Sequence, residues 1–285
     1  MLKGMKLDDF LKQRQEKVQW RYINGFDNGD IETNGELETI NTLSNYYNVF
    51  VDVGANNGEF CKKNVDISSE IQIEAFEANP ELIQNLKTIL QDRGQVNSIA
   101  ISNETGTATL KIHSNDSGVS SLFDRTMMMP SFTSLMLEHE VELKKLDHYY
   151  NQIIHGEARN QTTLKGLFIK IDIEGNELNA IKSAEKLLSY EDAPIFLMFE
   201  YSYGWIESCQ KLKEAFHFLD SVEFDFFRVT PLGFEKIKFF DHEMEDFRYC
   251  NYLAVKNFPI DSFCTSKEIM SHQGESKFYP FSDWE

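Results

Sequence analysis

The sequence predicts an α/β protein in which helices cover both faces of a mostly parallel sheet. The first observation is the segment 49–60, VFVDVGANNGEF, where an apolar run leads directly into a turn that contains Gly54 and Gly58. Two further apolar runs, 71–76 and 167–173, are each followed by a segment with helical periodicity. Strands and helices that alternate in this order form parallel sheets, because each parallel connection requires a crossover.

The same kinds of signal place the other elements. Asn, Asp and Gly mark a loop before the first strand, Pro80 suits a first helical turn, and two apolar runs near the end predict an antiparallel hairpin. In chain order we predict a helix over 5–22, a loop over 24–34, a helix over 36–46, strands over 49–53 and 71–76, a helix from Pro80, strands over 96–102, 107–112 and 167–173, a helix ending at Leu188, a strand over 195–200, a helix over 209–219, and hairpin strands over 224–229 and 249–255.

Composition and pattern divide the chain into three parts. We predict an N-terminal helical extension over 1–34, a core over 35–257 and a tail over 258–285. Within the core, residues 113–165 carry few regular signals, and we predict an insertion of loops that forms a lid over the site. One domain with short additions is the simplest division for a chain of 285 residues.

The turn after the first strand predicts a nucleotide-like cofactor site. Gly54 and Gly58 lack Cβ atoms, so the backbone can turn tightly and approach a ligand, and Asn56 tolerates left-handed dihedrals. Dinucleotide folds carry G-x-G-x-x-G, whereas asparagine stands at position 56 and no third glycine follows, which disfavours a nicotinamide dehydrogenase. Asp52 instead matches the D-x-G-x-x-x-G loop of methyltransferases that use S-adenosylmethionine.

A carboxylate at the end of the second strand supports the same cofactor class. Glu77 follows Gly58 by about 20 residues, the spacing at which such folds place the acid that binds ribose hydroxyls. A glycine turn and a strand-end glutamate are each common in α/β proteins. Their combination at this spacing favours a nucleoside-type cofactor.

Several segments together resemble the FkbM-type methyltransferases. They are GLFIKIDIEGNEL at 166–178 with its continuation to 184, VDVGANNG at 51–58, FEANP at 76–80 and VNSIAISN at 96–103. Ser183 departs from the glycine that is usual in that family. The resemblance covers roughly residues 35–256. It implies a Rossmann-like class I methyltransferase fold with a seven-stranded sheet, S-adenosylmethionine as methyl donor, and O-methylation, often of sugar hydroxyls.

From the glycine loop, the strand-end acid and this resemblance we predict eight residues at the donor. They are Asp52, Gly54, Ala55, Asn56, Gly58, Glu77, Asn79 and Ala100.

Two carboxylates at the end of the fourth core strand are the predicted catalytic residues. Asp172 and Glu174 point the same way while strand geometry persists. A sugar hydroxyl needs a base, and burial beside a like charge makes a carboxylate more basic. Asp172 is the first candidate and Glu174 the second. The alternative is that Asp172 orders the donor or caps the next helix, while Glu174 caps its first residues.

A metal is considered and not favoured. Glu200 ends the fifth core strand and, with Asp172, is similar to the carboxylates that bind magnesium in catechol-type methyltransferases. Strand-end carboxylates are common in α/β enzymes, so we predict no metal ligands and keep a divalent ion as an alternative. The seven histidines show no metal-ligand spacing. Core packing is the more frequent fate of aromatic side chains, but the segment 201–205 directly follows a strand end and so has the best claim among them to an acceptor pocket.

Charge and cysteine usage limit the partners. The formal net charge of −18 argues against nucleic acid or an anionic membrane. The four cysteines lack paired spacing, and we find neither a signal core nor an apolar run of about 20 residues. We therefore expect a cytoplasmic protein without membrane insertion, acting on a small molecule or glycan with a free hydroxyl. The sequence does not predict an oligomeric state.

Three functions stay open at this point. The leading one is an O-methyltransferase for a sugar hydroxyl of a surface glycan or glycan precursor. The second has a polyketide or other small secondary metabolite as acceptor. The third is a non-catalytic protein that binds the donor, which the intact set of motif residues disfavours. That set comprises Asp52, Gly54, Gly58, Glu77 and Asp172.

Overall fold

A computed structural model describes residues 12, 15–17, 19, 21, 23–113, 116–124, 136–156, 163–262, 264–271 and 273–281. Its helices are α1 (Glu36–Leu43), α2 (Glu59–Ile67), α3 (Ile83–Leu90), α4 (Tyr150–His155), α5 (Glu177–Lys182), α6 (Glu185–Leu188), α7 (Gly204–Glu207) and α8 (Leu212–Ser221). Its strands are β1 (Val49–Val53), β2 (Gln72–Phe76), β3 (Gly94–Asn97), β4 (Ala100–Ile101), β5 (Gly106–His113), β6 (Asp116–Ser121), β7 (Met136–Lys144), β8 (Leu167–Ile171), β9 (Ile195–Tyr201), β10 (Asp225–Thr230), β11 (Gly233–Ile237), β12 (Cys250–Lys256), β13 (Lys267–Ser271) and β14 (Gly274–Pro280).

The larger sheet runs in the order β13-β14-β11-β10-β12-β9-β8-β1-β2-β3. The five strands from β3 to β9 are parallel, and each strand beyond β9 is antiparallel to its neighbour. In this register Asp52 lies between Ala75 of β2 and Lys170 of β8. The carboxyl ends of β1, β2, β8 and β9 therefore meet at one edge of the sheet.

The prediction of seven strands in this sheet is wrong, because the sheet has ten. The two strands predicted for the closing hairpin do pair, as β10 and β12. The segment between them, predicted as a turn, contains β11, and two strands of the tail extend the sheet through the pairing of β14 with β11. These strands are short and carry polar residues between the buried Phe234, Ile237 and Tyr279, so their apolar pattern is weak.

The predicted strand 96–102 is in fact two strands in different sheets. The chain leaves β3 at Asn97, and a tight turn with a 3.1 Å bond from Ile99 N–H to the Asn97 carbonyl directs it into β4. The smaller sheet has the order β4-β7-β5-β6. Ala100, Leu110 and Val141 are among its buried residues.

The prediction that residues 113–165 form loops is wrong for the part that the structure describes. β6, β7 and α4 lie there, together with a 3₁₀ turn at 146–149. In β7, the exposed Glu138, Glu140 and Glu142 alternate with a face that carries the buried Val141. This period-two pattern is typical of a strand with one solvated face, although its acidic residues weaken the signal.

The parallel strands are apolar on both faces because each face packs against helices. On β1, Val49, Val51 and Val53 belong to one core cluster, while Phe50 belongs to the other. Helices α5, α6 and α8 cover the first face, and α1, α2 and α3 cover the second. None of the helices in the described residues is long and apolar enough to cross a membrane.

The segment before α1 is attached to the antiparallel half of the larger sheet. The Asp27 N–H donates to the Tyr249 carbonyl at 2.9 Å, and Arg248 Nη1 lies 3.2 Å from Asp27 Oδ2. The Arg228 guanidinium lies 4.6 Å from the centre of the Phe26 ring. The described residues between 12 and 23 are helical, but Leu7, Phe10, Leu11, Val18 and Trp20, on which the helix 5–22 was predicted, lie outside the described residues.

Candidate active site

A cavity of about 320 Å³ opens at the carboxyl ends of β1, β2 and β8. The loops that follow these three strands line most of its wall. The smaller sheet contributes Leu110 and residues 120–122, and Ile31 contributes from the segment before α1. Ligands of open α/β sheets bind beyond the carboxyl ends of the strands, so the cavity lies where a ligand is expected.

Left-handed backbone shapes the loop after β1. Gly54, Asn56 and Gly58 have φ values of +87°, +47° and +85°. The Gly54 N–H donates to the Phe76 carbonyl at 2.9 Å, which ties the loop to the end of β2. A Cβ atom on Gly54 would lie 1.8 Å from the Asp172 carbonyl oxygen. Only glycine therefore fits where this loop touches the loop after β8.

The Glu77 carboxylate joins the loops after β1 and β2. Its Oε2 accepts from the Asn56 N–H at 2.7 Å, and its Oε1 accepts from the Asn79 N–H at 2.6 Å. Burial raises the pKa of Glu77, and these N–H bonds oppose that rise. Because an ionised carboxylate has about four acceptor positions, both oxygens can also accept from a ligand.

The eight predicted donor residues divide into two groups. Five line the cavity, namely Gly54, Ala55, Asn56, Glu77 and Ala100, whereas Asp52, Gly58 and Asn79 do not.

Asp52 lies behind the cavity wall. Its side chain is fully buried. One oxygen accepts from the Cys61 thiol at 3.1 Å, and the other has no hydrogen-bond partner among the residues that the structure describes. Burial raises the pKa of Asp52, which favours its neutral form. From this position Asp52 supports the loop after β1 through α2.

A buried ion pair lies beside the cavity at the end of β8. Lys170 Nζ is 2.8 Å from Asp172 Oδ2, and the Lys170 side chain is only 3% exposed. Burial alone would lower the pKa of Lys170, but attraction to Asp172, Glu36 and Asp52 outweighs it and the pKa is raised. The motif contains Lys170, yet the sequence reasoning assigned it no role. Its i, i+2 spacing from Asp172 is the signal that could have found it.

Three carboxylates meet where β8 and β9 end. One oxygen each of Asp172, Glu174 and Glu200 lies within 4.8 Å of the others. Asp172 and Glu174, the two residues that the sequence analysis predicts as catalytic, line the cavity. Glu200 is buried, and burial followed by repulsion from Asp172, Glu174 and Glu177 raises its pKa well above the ordinary value. The protonated form of Glu200 is therefore favoured.

This set of oxygens matches the ligand type that magnesium takes, but part of its charge is already balanced. The Lys170 ammonium lies 2.8 Å from Asp172, and the raised pKa of Glu200 favours a neutral acid there. The electrostatic attraction for a divalent cation is smaller than three free carboxylates would provide.

The aromatic segment 201–205 is mostly core. Tyr201 and Trp205 are fully buried, and their ring centroids lie 5.2 Å apart in an edge-to-face arrangement. The Tyr201 hydroxyl donates to Glu245 at 3.1 Å. Tyr203 is exposed and, like Tyr201 and Trp205, does not line the cavity. Tyr201 and Trp205 thus show core packing, the more frequent fate of aromatic side chains, and the segment does not line this cavity.

Comparison with known families decides the assignment. The family model described as "Methyltransferase FkbM domain" matches residues 52–253. The chain belongs to the FkbM methyltransferase family. The FkbM domain spans β1 to β12 and so contains both the glycine loop and the carboxylates. This member of the FkbM family has an α/β fold with a mixed sheet.

Two methyltransferases are among the solved structures that are similar to this FkbM protein. The methyltransferase FkbM from Methylobacillus flagellatus KT has 16% identity and a TM-score of 0.40, with 72% of this chain and 43% of that chain covered. This chain thus spans less than half of that protein. An O-methyltransferase from Bacillus cereus in complex with SAH has 11% identity and a TM-score of 0.38, with 88% and 92% covered. No curated protein matches this chain.

Proposed function

We propose that this FkbM protein is an S-adenosylmethionine-dependent O-methyltransferase that acts on a sugar hydroxyl of a surface glycan or glycan precursor. The observation that carries the proposal is one cavity with two kinds of wall. The loops after β1 and β2 line one part of the cavity, and the carboxylates Asp172 and Glu174 of the loop after β8 line another part. A donor and a proton acceptor can therefore act on the same bound substrate.

The donor side fits S-adenosylmethionine. A volume of about 320 Å³ lies at the lower end of the range for small-molecule sites. Glu77 would accept from ribose hydroxyls, while Gly54, Ala55, Asn56 and Ala100 allow close approach of the ligand. When bound, this cofactor supplies an electrophilic methyl group.

The acceptor side supplies a base. Asp172 is already paired with Lys170 at 2.8 Å, so one of its oxygens is engaged in an ion pair beside the cavity. Glu174 lines the same cavity and lies next to Glu200. We therefore assign proton removal from the acceptor hydroxyl to Glu174 and a charge-stabilising role to Asp172, the reverse of the order that the sequence favours.

The charge of the site favours a neutral acceptor. Among the described residues, the cavity is lined by the carboxylates Glu59, Glu77, Asp172 and Glu174 and by one cation, Lys170. A phosphate-rich acceptor would be repelled both here and by the net charge of −18. A neutral sugar carries no such penalty. We propose that the reaction takes place in the cytoplasm, and the four unpaired cysteines support this.

Calorimetric titration with S-adenosylmethionine and S-adenosylhomocysteine tests the donor, with Glu77→Ala as the loss variant and the exposed Glu81→Gln as its control. Tritium transfer from labelled donor then tests the acceptor, with a polysaccharide fraction and a small-metabolite fraction assayed separately. Label in the polysaccharide supports the proposal. Label only in small metabolites supports the second acceptor class, and donor binding without transfer to either fraction supports a non-catalytic protein.

A further inference from the structure

We propose that Glu177 is a positioning residue that fixes the loop carrying Glu174. The inference rests on the proposed function, in which Glu174 is the base. Glu177 is the first residue of α5, and its side chain is completely buried and points back under the loop 173–175. It does not line the cavity, so it can act only through its neighbours.

The contacts of Glu177 are made with the backbone of that loop. Its Oε1 accepts from the Ile173 N–H at 3.0 Å and from the Gly175 N–H at 3.1 Å. Its Oε2 accepts from the Gly175 N–H at 3.0 Å. N–H groups just before a helix have no partner within the helix. The carboxylate thus binds the two N–H groups that flank Glu174.

Glu177 supports a loop in which the backbone of Glu174 has an unfavourable conformation. Glu174 has a φ of +57°, a region that glutamate rarely adopts. Two other contacts hold the same loop. The Ser121 hydroxyl donates to the Glu174 carbonyl at 2.7 Å, and a Cβ atom on Gly175 would lie 2.6 Å from the Gly204 carbonyl oxygen. A strained residue held from three sides beside a cavity is typical of a functional position.

The positioning depends on the oxygen atoms of Glu177 and not on its charge. Oε1 alone accepts from both flanking N–H groups, so a glutamine with its carbonyl oxygen in that place retains both bonds. Burial raises the pKa of Glu177 to about 7, so a neutral side chain is already accessible there. An aspartate keeps the charge but is one methylene shorter, which withdraws its oxygens from the loop.

The crossed pair Glu177→Gln and Glu177→Asp tests the proposal in the full-length protein. Turnover is measured with tritiated donor and the labelled fraction from the transfer assay, and donor affinity by calorimetry. Hydrogen exchange of the amides at 173 and 175 reports the loop itself. We expect the Glu177→Gln variant to lose about fivefold in kcat and the Glu177→Asp variant about 100-fold. The donor Kd should be unchanged in both variants, and amide exchange should be faster in Glu177→Asp.

An Asp variant at least as active as the Gln variant overturns the proposal, because charge and not oxygen placement would then matter. If the Asp variant does not fold, the Gln variant decides alone. Retained turnover with protected amides supports the proposal, and a 100-fold loss in a folded Gln variant with protected amides opposes it. A wild type that binds no donor ends the proposed function, while amide exchange still reports whether Glu177 holds the loop.

Discussion

The two sides of the cavity are stabilised by different forces. The donor side is held by backbone contacts, such as the 2.9 Å bond from the Gly54 N–H to the Phe76 carbonyl, together with the Glu77 carboxylate. The carboxylate side is held by buried ionisable side chains, namely Lys170, Glu177 and Glu200. Backbone bonds do not titrate, whereas buried ionisable groups respond to pH and to the loss of any partner. Changes of charge should therefore affect catalysis and stability more than donor binding.

The largest effect should come from Glu174→Gln. The amide cannot take the hydroxyl proton, and loss of a general base reduces turnover by about 10² to 10⁴-fold. Donor affinity should change little, because the donor is assigned to the loops after β1 and β2. Tritium transfer and calorimetry on the same preparation measure both quantities.

The exposed Glu185→Gln is the matched control for this change of charge. If Glu174→Gln retains full turnover while Asp172→Asn does not, Asp172 is the base. The ion pair with Lys170 would then not count against that role. That result would restore the order that the sequence favours.

The next effect in size is expected for Lys170→Met. The substitution removes the cation that lies 2.8 Å from Asp172 and also attracts the buried Glu36 and Asp52. Removing one partner of a buried pair costs about 3–5 kcal/mol, and partial exposure of Asp172 brings our expectation to about 2–3 kcal/mol. Urea unfolding measures this loss in the free energy of unfolding, with the exposed Lys213→Met as control.

The double variant Lys170→Met/Asp172→Asn completes the cycle. It should recover part of the lost free energy, because the unpaired carboxylate is gone. If the double variant loses as much free energy of unfolding as the two single variants together, Lys170 and Asp172 do not interact directly.

The sequence signals on the donor side are local. Gly54, Asn56 and Glu77 act within a short stretch, through backbone dihedrals and strand ends that leave a pattern. On the carboxylate side, strand ends and the i, i+2 spacing are local signals too. The charge balance around Lys170 and Glu200 depends instead on burial and on neighbours from β1, α1 and β9, which no local pattern shows.

The same distinction separates the predicted from the unpredicted parts of the fold. The alternating parallel strands, buried on both faces, carry continuous apolar runs, and the sequence locates them. β7 has one acidic, solvated face, and β13 lies at an edge, so each carries a weak apolar signal. Tertiary pairing stabilises such strands, and pairing cannot be deduced from the segment alone.

A pH effect on the free energy of unfolding, similar in size to the effect of Lys170→Met, is expected on the carboxylate side. The Glu177 carboxyl has a pKa of about 7 in the folded protein and 4.5 as the reference value. The folded state thus keeps a proton that the unfolded chain releases. This contribution is fully present below pH 4.5 and is lost as the pH rises through about 7. We expect Glu177 to contribute a fall in unfolding free energy of about 2–3 kcal/mol.

Urea unfolding near pH 5 and near pH 8 measures this fall in the wild type and in Glu177→Gln. The glutamine variant should show the smaller decrease, because its amide does not titrate. The raised pKa values of Glu36 and Glu200 act in the same direction, so a residual decrease should remain. Parallel curves for the two proteins would contradict the assignment to Glu177.

A smaller effect is expected on the donor side from Glu77→Gln. Glutamine keeps one acceptor oxygen but loses the charge that strengthens bonds to hydroxyl groups, which corresponds to about a tenfold rise in donor Kd. The variant should fold normally, because the Asn56 or the Asn79 N–H retains a partner. Calorimetry with S-adenosylhomocysteine measures the change, with Glu81→Gln as control. If Glu174→Gln loses more donor affinity than Glu77→Gln in the same titration, the division of the cavity into a donor side and a carboxylate side is contradicted.

The smallest effect should be that of chelation. Asp172, Glu174 and Glu200 offer oxygen ligands within 4.8 Å of one another, but Lys170 and a proton on Glu200 already balance part of their charge. Because a proton on Glu200 reduces the negative charge that a metal would otherwise balance, methyl transfer should survive millimolar EDTA. Activity that is lost in EDTA and restored by magnesium would show that a cation displaces that proton. The carboxylate side would then be a metal centre, and the contrast between the two sides would be larger still.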